Sequence, residues 1–459
     1  FKQKTAYEIS LGLVGSEMCI RDRILIGCNA AENDRILSGN TIEETNLHQH
    51  ITTLASDEFG GRAPGSEGGE KTKQYLVNAF QELMLETINC DYLLDVPLVD
   101  VSVNKGSYIS IFQNGSEKML KQGGETVFWT KRVQENVSVD NSQMVFVGYG
   151  IVAPEYGWND YKGMDMKGKT AEMLINDPGF ATQDDALFKG NAMTYYGRWT
   201  YKYEEAARQG ADAVIIIHET APAAYPWQVV ETSWQGKQID LKREDMGLAR
   251  VNVESWITHS IAQGLFEQSG LDLEELKMEA LNAEFKPVIM QGLSLKARLN
   301  NTIRFASSHN VAAVKKGSLR PNEYILMMAH WDHLGIKEEQ SGDNIYNGAV
   351  DNATGVAGIL ELAETLNDYD NERSLLYLAV TAEESGLLGS AYFAEYPPID
   401  LSQVVAGYNF DAMHPRGKVK DVVVVGYGAS ELEDILELSL IHISEPTRPR
   451  LISYAVFCL

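Results

Sequence analysis

The chain has 459 residues, of which 44% are hydrophobic and 22% charged, a globular composition with room for roughly two to four domains. Its net charge of -25 and pI near 4.8 argue against nucleic-acid or anionic-membrane binding. No apolar run of about 18 residues or more occurs, so no transmembrane helix is expected.

The two ends read differently from the rest. Residues 1–23, closing on Cys19-Ile20-Arg21-Asp22-Arg23, have no clear period, and 439–459, opening Ser439-Leu440-Ile441-His442-Ile443-Ser444-Glu445-Pro446, are equally unlike what precedes them. Both resemble translated sequencing-adapter read-through and are set aside from fold reasoning. Two of the four cysteines, Cys19 and Cys458, fall in those ends; Cys28 and Cys90 remain, which indicates neither a disulfide framework nor a thiolate metal site. Residues 24–44 read as a lipobox and linker. Leu25-Ile26-Gly27-Cys28 resembles a bacterial lipobox, and a polar spacer follows it. The expectation is a lipid anchor at Cys28 on a protein of the bacterial cell envelope, or else a secreted protein.

The globular part starts near Thr41. A Gly/Pro-rich turn region from Leu54 to Ser66 leads into a helix, with Leu76, Ala79, Phe80, Leu83 and Met84 at helical spacing. Residues 92–99 read as a strand, closing a first segment over 45–103. Residues 104–300 change character: short strand-like runs at 108–112, 143–147 and 214–218 are separated by Gly, Asp, Asn and Pro. A helix through Glu204-Glu205-Ala206-Ala207-Arg208 stops at Gly210 and gives way to a buried strand. This stretch is expected to be a smaller β-rich insertion with few helices. A second segment over 301–438 then shows strand, loop and helix in turn: strands at 324–329, 375–380 and 404–410, and a helix over 354–366 with Val356, Ile359, Leu360 and Ala363 on one face. Such alternation implies an α/β fold with a doubly covered, largely parallel (mixed) sheet. Ligands of such sheets gather at the carboxyl ends of the strands.

Acidic and imidazole positions sit where these apolar runs end. They are His330 in His330-Trp331-Asp332, Asp351 in Gly348-Ala349-Val350-Asp351-Asn352, the pair Glu383-Glu384, and Asp411 in Asn409-Phe410-Asp411. Hard oxygen ligands plus one imidazole suit a zinc-class ion. A further carboxylate beside the ligands is what a metal-activated water needs as its base. Asp332 can hold the second nitrogen of a ligating His330. Asp351 can bridge two cations, with Gly348 and Gly355 permitting close approach; taken alone, it reads better as the N-cap of the 354–366 helix. Adjacent glutamates repel one another unless a cation lies between them; the alternative is a solvated acidic turn. His414 reads as a loop residue rather than a ligand.

In order and approximate spacing, His-x-Asp, Gly-x-x-Asp-Asn, Glu-Glu-x-Gly and Asn-x-Asp resemble the co-catalytic di-zinc aminopeptidases related to bacterial leucyl aminopeptidase and glutamate carboxypeptidase. Residues 59–85 are similar to that family's first helix and its Gly-Arg-x-Pro-Gly-Ser opening. Phe146-Val147-Gly148-Tyr149-Gly150-Ile151-Val152-Ala153-Pro154 and Tyr201-Lys202-Tyr203-Glu204-Glu205-Ala206-Ala207 resemble a protease-associated domain. The likeness covers about 45–438 and implies a zinc-exopeptidase fold with an inserted protease-associated domain. It implies zinc held by His330 and Asp411, with Asp351 bridging to a second zinc on Glu384. Glu383 would be the general base toward a metal-bridging water, Asp332 would orient His330, and the Asp351-Asn352 peptide bond would be cis. The implied substrates are peptides, cleaved at the N-terminus; a carboxypeptidase or dipeptidase of the same chemistry, or a non-catalytic receptor-like relative, is the alternative. The family also has a later zinc-binding histidine, well downstream of Asp411, and no residue here fills that role; His442 lies in the set-aside tail. The chain is therefore expected to be a C-terminally truncated reading, with an incomplete second zinc position and poor activity.

Overall fold

The computed structural model describes residues 41–413, apart from 114, 192, 236 and 338–341, together with residue 432. Cys28, His414, His442 and both end segments lie outside the described residues. Two compact units divide the chain, one made of residues 1–97 with 307–459 and the other of 98–306. Among the described residues no helix is long and apolar enough to cross a membrane.

The first unit is a sheet covered on both faces. Its helices are α1 (Glu44–Leu54), α2 (Glu67–Glu82), α3 (Thr354–Thr365) and α4 (Leu388–Glu395), and its main strands are β1 (Arg320–His330), β2 (Arg373–Val380) and β3 (Val404–Asn409). β1 is central and runs parallel to both β2 and β3, while residues 311–315 pair antiparallel on the far side of β2. The period-2 rule decides which residues face which layer. Leu375, Tyr377 and Ala379 of β2 join Leu54, Leu76, Phe80, Val356, Ile359 and Leu360 in one core, against α1, α2 and α3. Leu376, Leu378 and Val380 pack on the opposite face with Phe393 of α4.

The apolar stripe of α3 proves wider than one face, since Gly355, Ala357, Gly358 and Glu361 are buried too. α2 stops earlier than the spacing predicts. Ser66 caps it by accepting from the Gly69 N–H at 3.0 Å, but the helix ends at Glu82, and Met84 lies outside it with positive φ and 87% exposure. Its apolar side chain fits the helical period, but a left-handed turn removes it from the face.

The second unit is more helical than expected. Its strands Asn136–Phe146, Lys169–Leu174, Ala213–His218 and Val253–Thr258 are parallel neighbours in that order. Crossovers between parallel strands need more chain than a hairpin, and helices supply it. These include Trp199–Arg208, Trp227–Ser233, His259–Gln268 and Leu273–Glu279. The unit has more strand than helix, but the expectation of few helices is corrected: polar residues on short helices hide the helical period, whereas the apolar strands stand out.

Candidate metal centre

The parallel register of β1, β2 and β3 brings their carboxyl ends to one edge. His330 is the last residue of β1 and pairs with Val380, the last of β2, while Met328 pairs with Asn409, the last of β3. Glu383 and Glu384 therefore follow β2 by a short turn, and Asp411 follows β3. Ala382 and Ala412, next to the acidic positions, both have positive φ, which turns the chain sharply after each strand.

The turn after β2 is braced from below. Asn310 Oδ1 accepts from the Thr381 N–H at 3.0 Å, and Asn310 Nδ2 donates to the Gly389 carbonyl at 2.8 Å. Gly389 is there because a Cβ would lie 2.3 Å from the Thr381 carbonyl oxygen. The Glu383 N–H donates to Asp332 Oδ1 at 3.0 Å, tying this turn to the one after β1.

Asp351 arrives from the loop before α3. The Asp351-Asn352 peptide bond is cis, as the resemblance implies. The side-chain acceptor at the start of the helix is Asn352, just before the N-cap residue Ala353: its Oδ1 accepts from the Gly355 N–H at 2.9 Å. Its Nδ2 donates to the Phe410 carbonyl at 2.8 Å, which links the loop to the end of β3. Asp351 does not cap the helix, and its carboxylate is turned to His330, with Oδ1 3.0 Å from Nε2.

His330 sits at the centre of the cluster and is almost wholly buried. Asp411 Oδ1 is 3.3 Å and Glu383 Oε2 3.8 Å from its Nε2. Burial alone would disfavour its charge, but the carboxylates of Asp351 and Asp411 outweigh that and lift its pKa to about 11. Asp351 is held low in return, chiefly by its hydrogen bond to His330. Burial pushes Glu383 up to about 7, reinforced by the neighbouring carboxylates and opposed by His330. Burial likewise pushes Asp332 up to about 6.

One expected contact takes a different form. His330 Nδ1 donates to the Asp332 main-chain carbonyl at 3.0 Å, while the nearer carboxylate oxygen, Asp332 Oδ1, stays 3.8 Å from Nδ1. That oxygen accepts from Glu383 instead, because the turn after β1 points the carbonyl back at the ring. Asp332 thus orients the imidazole with its backbone and the Glu383 turn with its side chain.

The residue missed from the sequence is His333. Its Nδ1 meets Glu384 Oε1 in a short hydrogen bond. Two groups of potential ligand atoms result, each within 4.8 Å of one another: His330, Asp351 and Asp411, and His333, Asp351 and Glu384. Each offers one imidazole and two carboxylates, a set that suits zinc. Asp351 belongs to both. The sequence signal was the imidazole repeated three positions after His330, one residue beyond the Asp.

The sequence pattern of peptidase family M28 matches residues 310–453, a span that holds every one of these side chains. The chain is 23% identical over 410 residues to a protein described as glutamate carboxypeptidase 2 homolog from Caenorhabditis elegans, covering 78% of this chain and 49% of that one. It is 28% identical over 121 residues to aminopeptidase YwaD of Bacillus subtilis (strain 168), covering 26% of this chain and 24% of the relative. Among solved structures it is similar to an aminopeptidase from Aneurinibacillus sp. strain AM-1, at 20% identity and a TM-score of 0.44, over 81% of this chain and 70% of the other. The chain spans about half the length of the Caenorhabditis relatives it matches. The likeness to peptidase family M28 lies within residues 310–453.

Proposed function

We propose that the protein is a zinc-dependent exopeptidase that removes N-terminal residues from peptides, using two neighbouring metal positions. The observation that carries this reading is the pair of ligand trios sharing Asp351, with Glu383 beside them as a carboxylate that belongs to neither. His330, Asp351 and Asp411 would hold one ion; His333, Asp351 and Glu384 would hold the other. Bound zinc would supply Lewis acidity toward a peptide carbonyl and an attacking water.

The rest is done by the chain. The Asp332 carbonyl fixes the proton of His330 on Nδ1, which turns Nε2 toward the ligand cluster. Glu383, with its carboxyl lifted toward neutrality and its backbone anchored on Asp332, is suited to take a proton from water and return it to the departing amine. Glu384 faces His333, so the adjacent glutamates divide the two tasks.

Zinc analysis of the purified chain, together with a panel of free-amine, N-acetylated and C-amidated peptides, tests the reading. Bound zinc and cleavage restricted to free-amine peptides are expected, with activity lost to a chelator and restored by zinc. Cleavage that demands a free carboxylate instead would assign a carboxypeptidase, in keeping with the name of the Caenorhabditis relative. Absence of both zinc and cleavage would sink the proposal.

A further inference from the structure

Arg62 lies in the Gly60-Gly61-Arg62 turn before α2 and is 1% exposed. Among the described residues no carboxylate forms an ion pair with it. Its guanidinium donates to four main-chain carbonyls instead: Nε to Trp331 at 3.0 Å, Nη1 to Leu54 and Asn347 at 2.6 Å each, and Nη2 to Gly348 at 2.7 Å. Trp331 lies between His330 and Asp332, and Gly348 lies three residues before Asp351. One rigid planar group therefore grips both chain segments that deliver the His330–Asp351 contact.

The fit has no slack. Gly60, Gly61 and Arg62 all adopt positive φ, a conformation uncommon for arginine that the surroundings must hold. A Cβ on Gly61 would lie 2.5 Å from the Tyr346 carbonyl oxygen, and one on Gly348 would lie 2.6 Å from Arg62 Nη2.

We propose that Arg62 is a positioning residue for the metal centre: by clamping the carbonyls of Trp331, Asn347 and Gly348, it sets the spacing between the imidazole of His330 and the carboxylate of Asp351. This rests on the zinc reading above. Its sign is distinctive. A buried cation near Asp351 and Glu384 opposes a divalent ion by Coulomb's law, so a residue acting through charge alone would tighten zinc binding when neutralised. A residue acting through geometry would weaken it, and lysine could not replace the five-donor fork.

The test is zinc affinity, measured by competition with a chromophoric chelator, for the full chain and its Arg62→Lys and Arg62→Met variants. Near-ultraviolet circular dichroism of each metal-free protein reports the fold. The expected result is two folded variants that both bind zinc about 10- to 100-fold more weakly, the range found for outer partners of metal ligands. Unchanged affinity in both overturns the proposal. So does tighter binding by Arg62→Met with Arg62→Lys unchanged, which would assign a charge effect. Failure of both variants to fold overturns it in favour of a general structural anchor. A parent chain that binds no zinc defeats the functional reading itself; a parent that binds zinc, with variants that match it, defeats this proposal alone.

Discussion

At the scale of single residues, Glu383 and its neighbour Glu384 have the same side chain and different surroundings. Glu383 lies 3.8 Å from His330 and takes no place in either ligand trio, whereas Glu384 engages His333. Replacing Glu383 with Gln keeps the size and removes the proposed base. Turnover is expected to fall by about 10²–10⁴-fold, with zinc content unchanged; equal loss of zinc would make it a ligand. The acidic positions and His330 were legible in the sequence because they end apolar runs. His333 was not, because its partner Glu384 is 51 positions away and only the parallel pairing of β1 with β2 brings the two together. Taken alone, Asp351 read as the helix cap; its carboxylate instead faces His330, and it is Asn352 Oδ1 that accepts from the Gly355 N–H.

At the scale of elements, the turn after β2 depends on a residue from another strand. Asn310 is 1% exposed and satisfies both the Thr381 N–H and the Gly389 carbonyl. Asn310→Ala strands both groups in the interior, and each unpaired buried group costs about 1–3 kcal/mol. A loss of about that size, or somewhat more, is expected in denaturant unfolding, with activity falling further than stability because Glu383 stands two residues beyond Thr381. A variant as stable as the parent would show that water replaces the amide. The three parallel strands of this unit were read correctly from apolar runs, as was the body of α3, whereas the strand through 311–315 was not read. The helix end at Glu82 was not, because Leu83 and Met84 continue the 3.6-residue period after the backbone has left the helix.

At the scale of the whole molecule, the insertion has chemistry of its own. Glu172, on the strand Lys169–Leu174, is fully buried between Phe146 and Ile215, and among the described residues neither of its carboxyl oxygens has a hydrogen-bond partner. Burial raises its pKa from 4.5 to about 8. The folded state therefore holds a proton that the unfolded chain releases, and stability from this group falls as pH rises. It is fully present below pH 4.5 and gone above about 8. Glu172→Gln is uncharged at every pH, so the stability of the parent relative to this variant should decline across that window. Thermal melting of both proteins from pH 4 to about 9 checks it; parallel curves would show that the carboxyl finds a partner. Polar strand positions such as this one are where the sequence was least readable. Short strand-like runs identified the strands at 143–147 and 214–218, but their parallel order follows from long-range pairing that no local pattern carries.

The sharing of Asp351 turns the metal centre into a counting problem. Asp411→Asn and Glu384→Gln each spoil a single trio, so on the proposed two-ion reading each should leave one zinc per chain in place of two. Asp351→Asn touches both trios and should leave none. In a metal-to-protein titration the three variants would fall on two steps, one and zero, rather than on three graded losses. An Asp351→Asn variant that still holds zinc would show that this aspartate does not serve both positions.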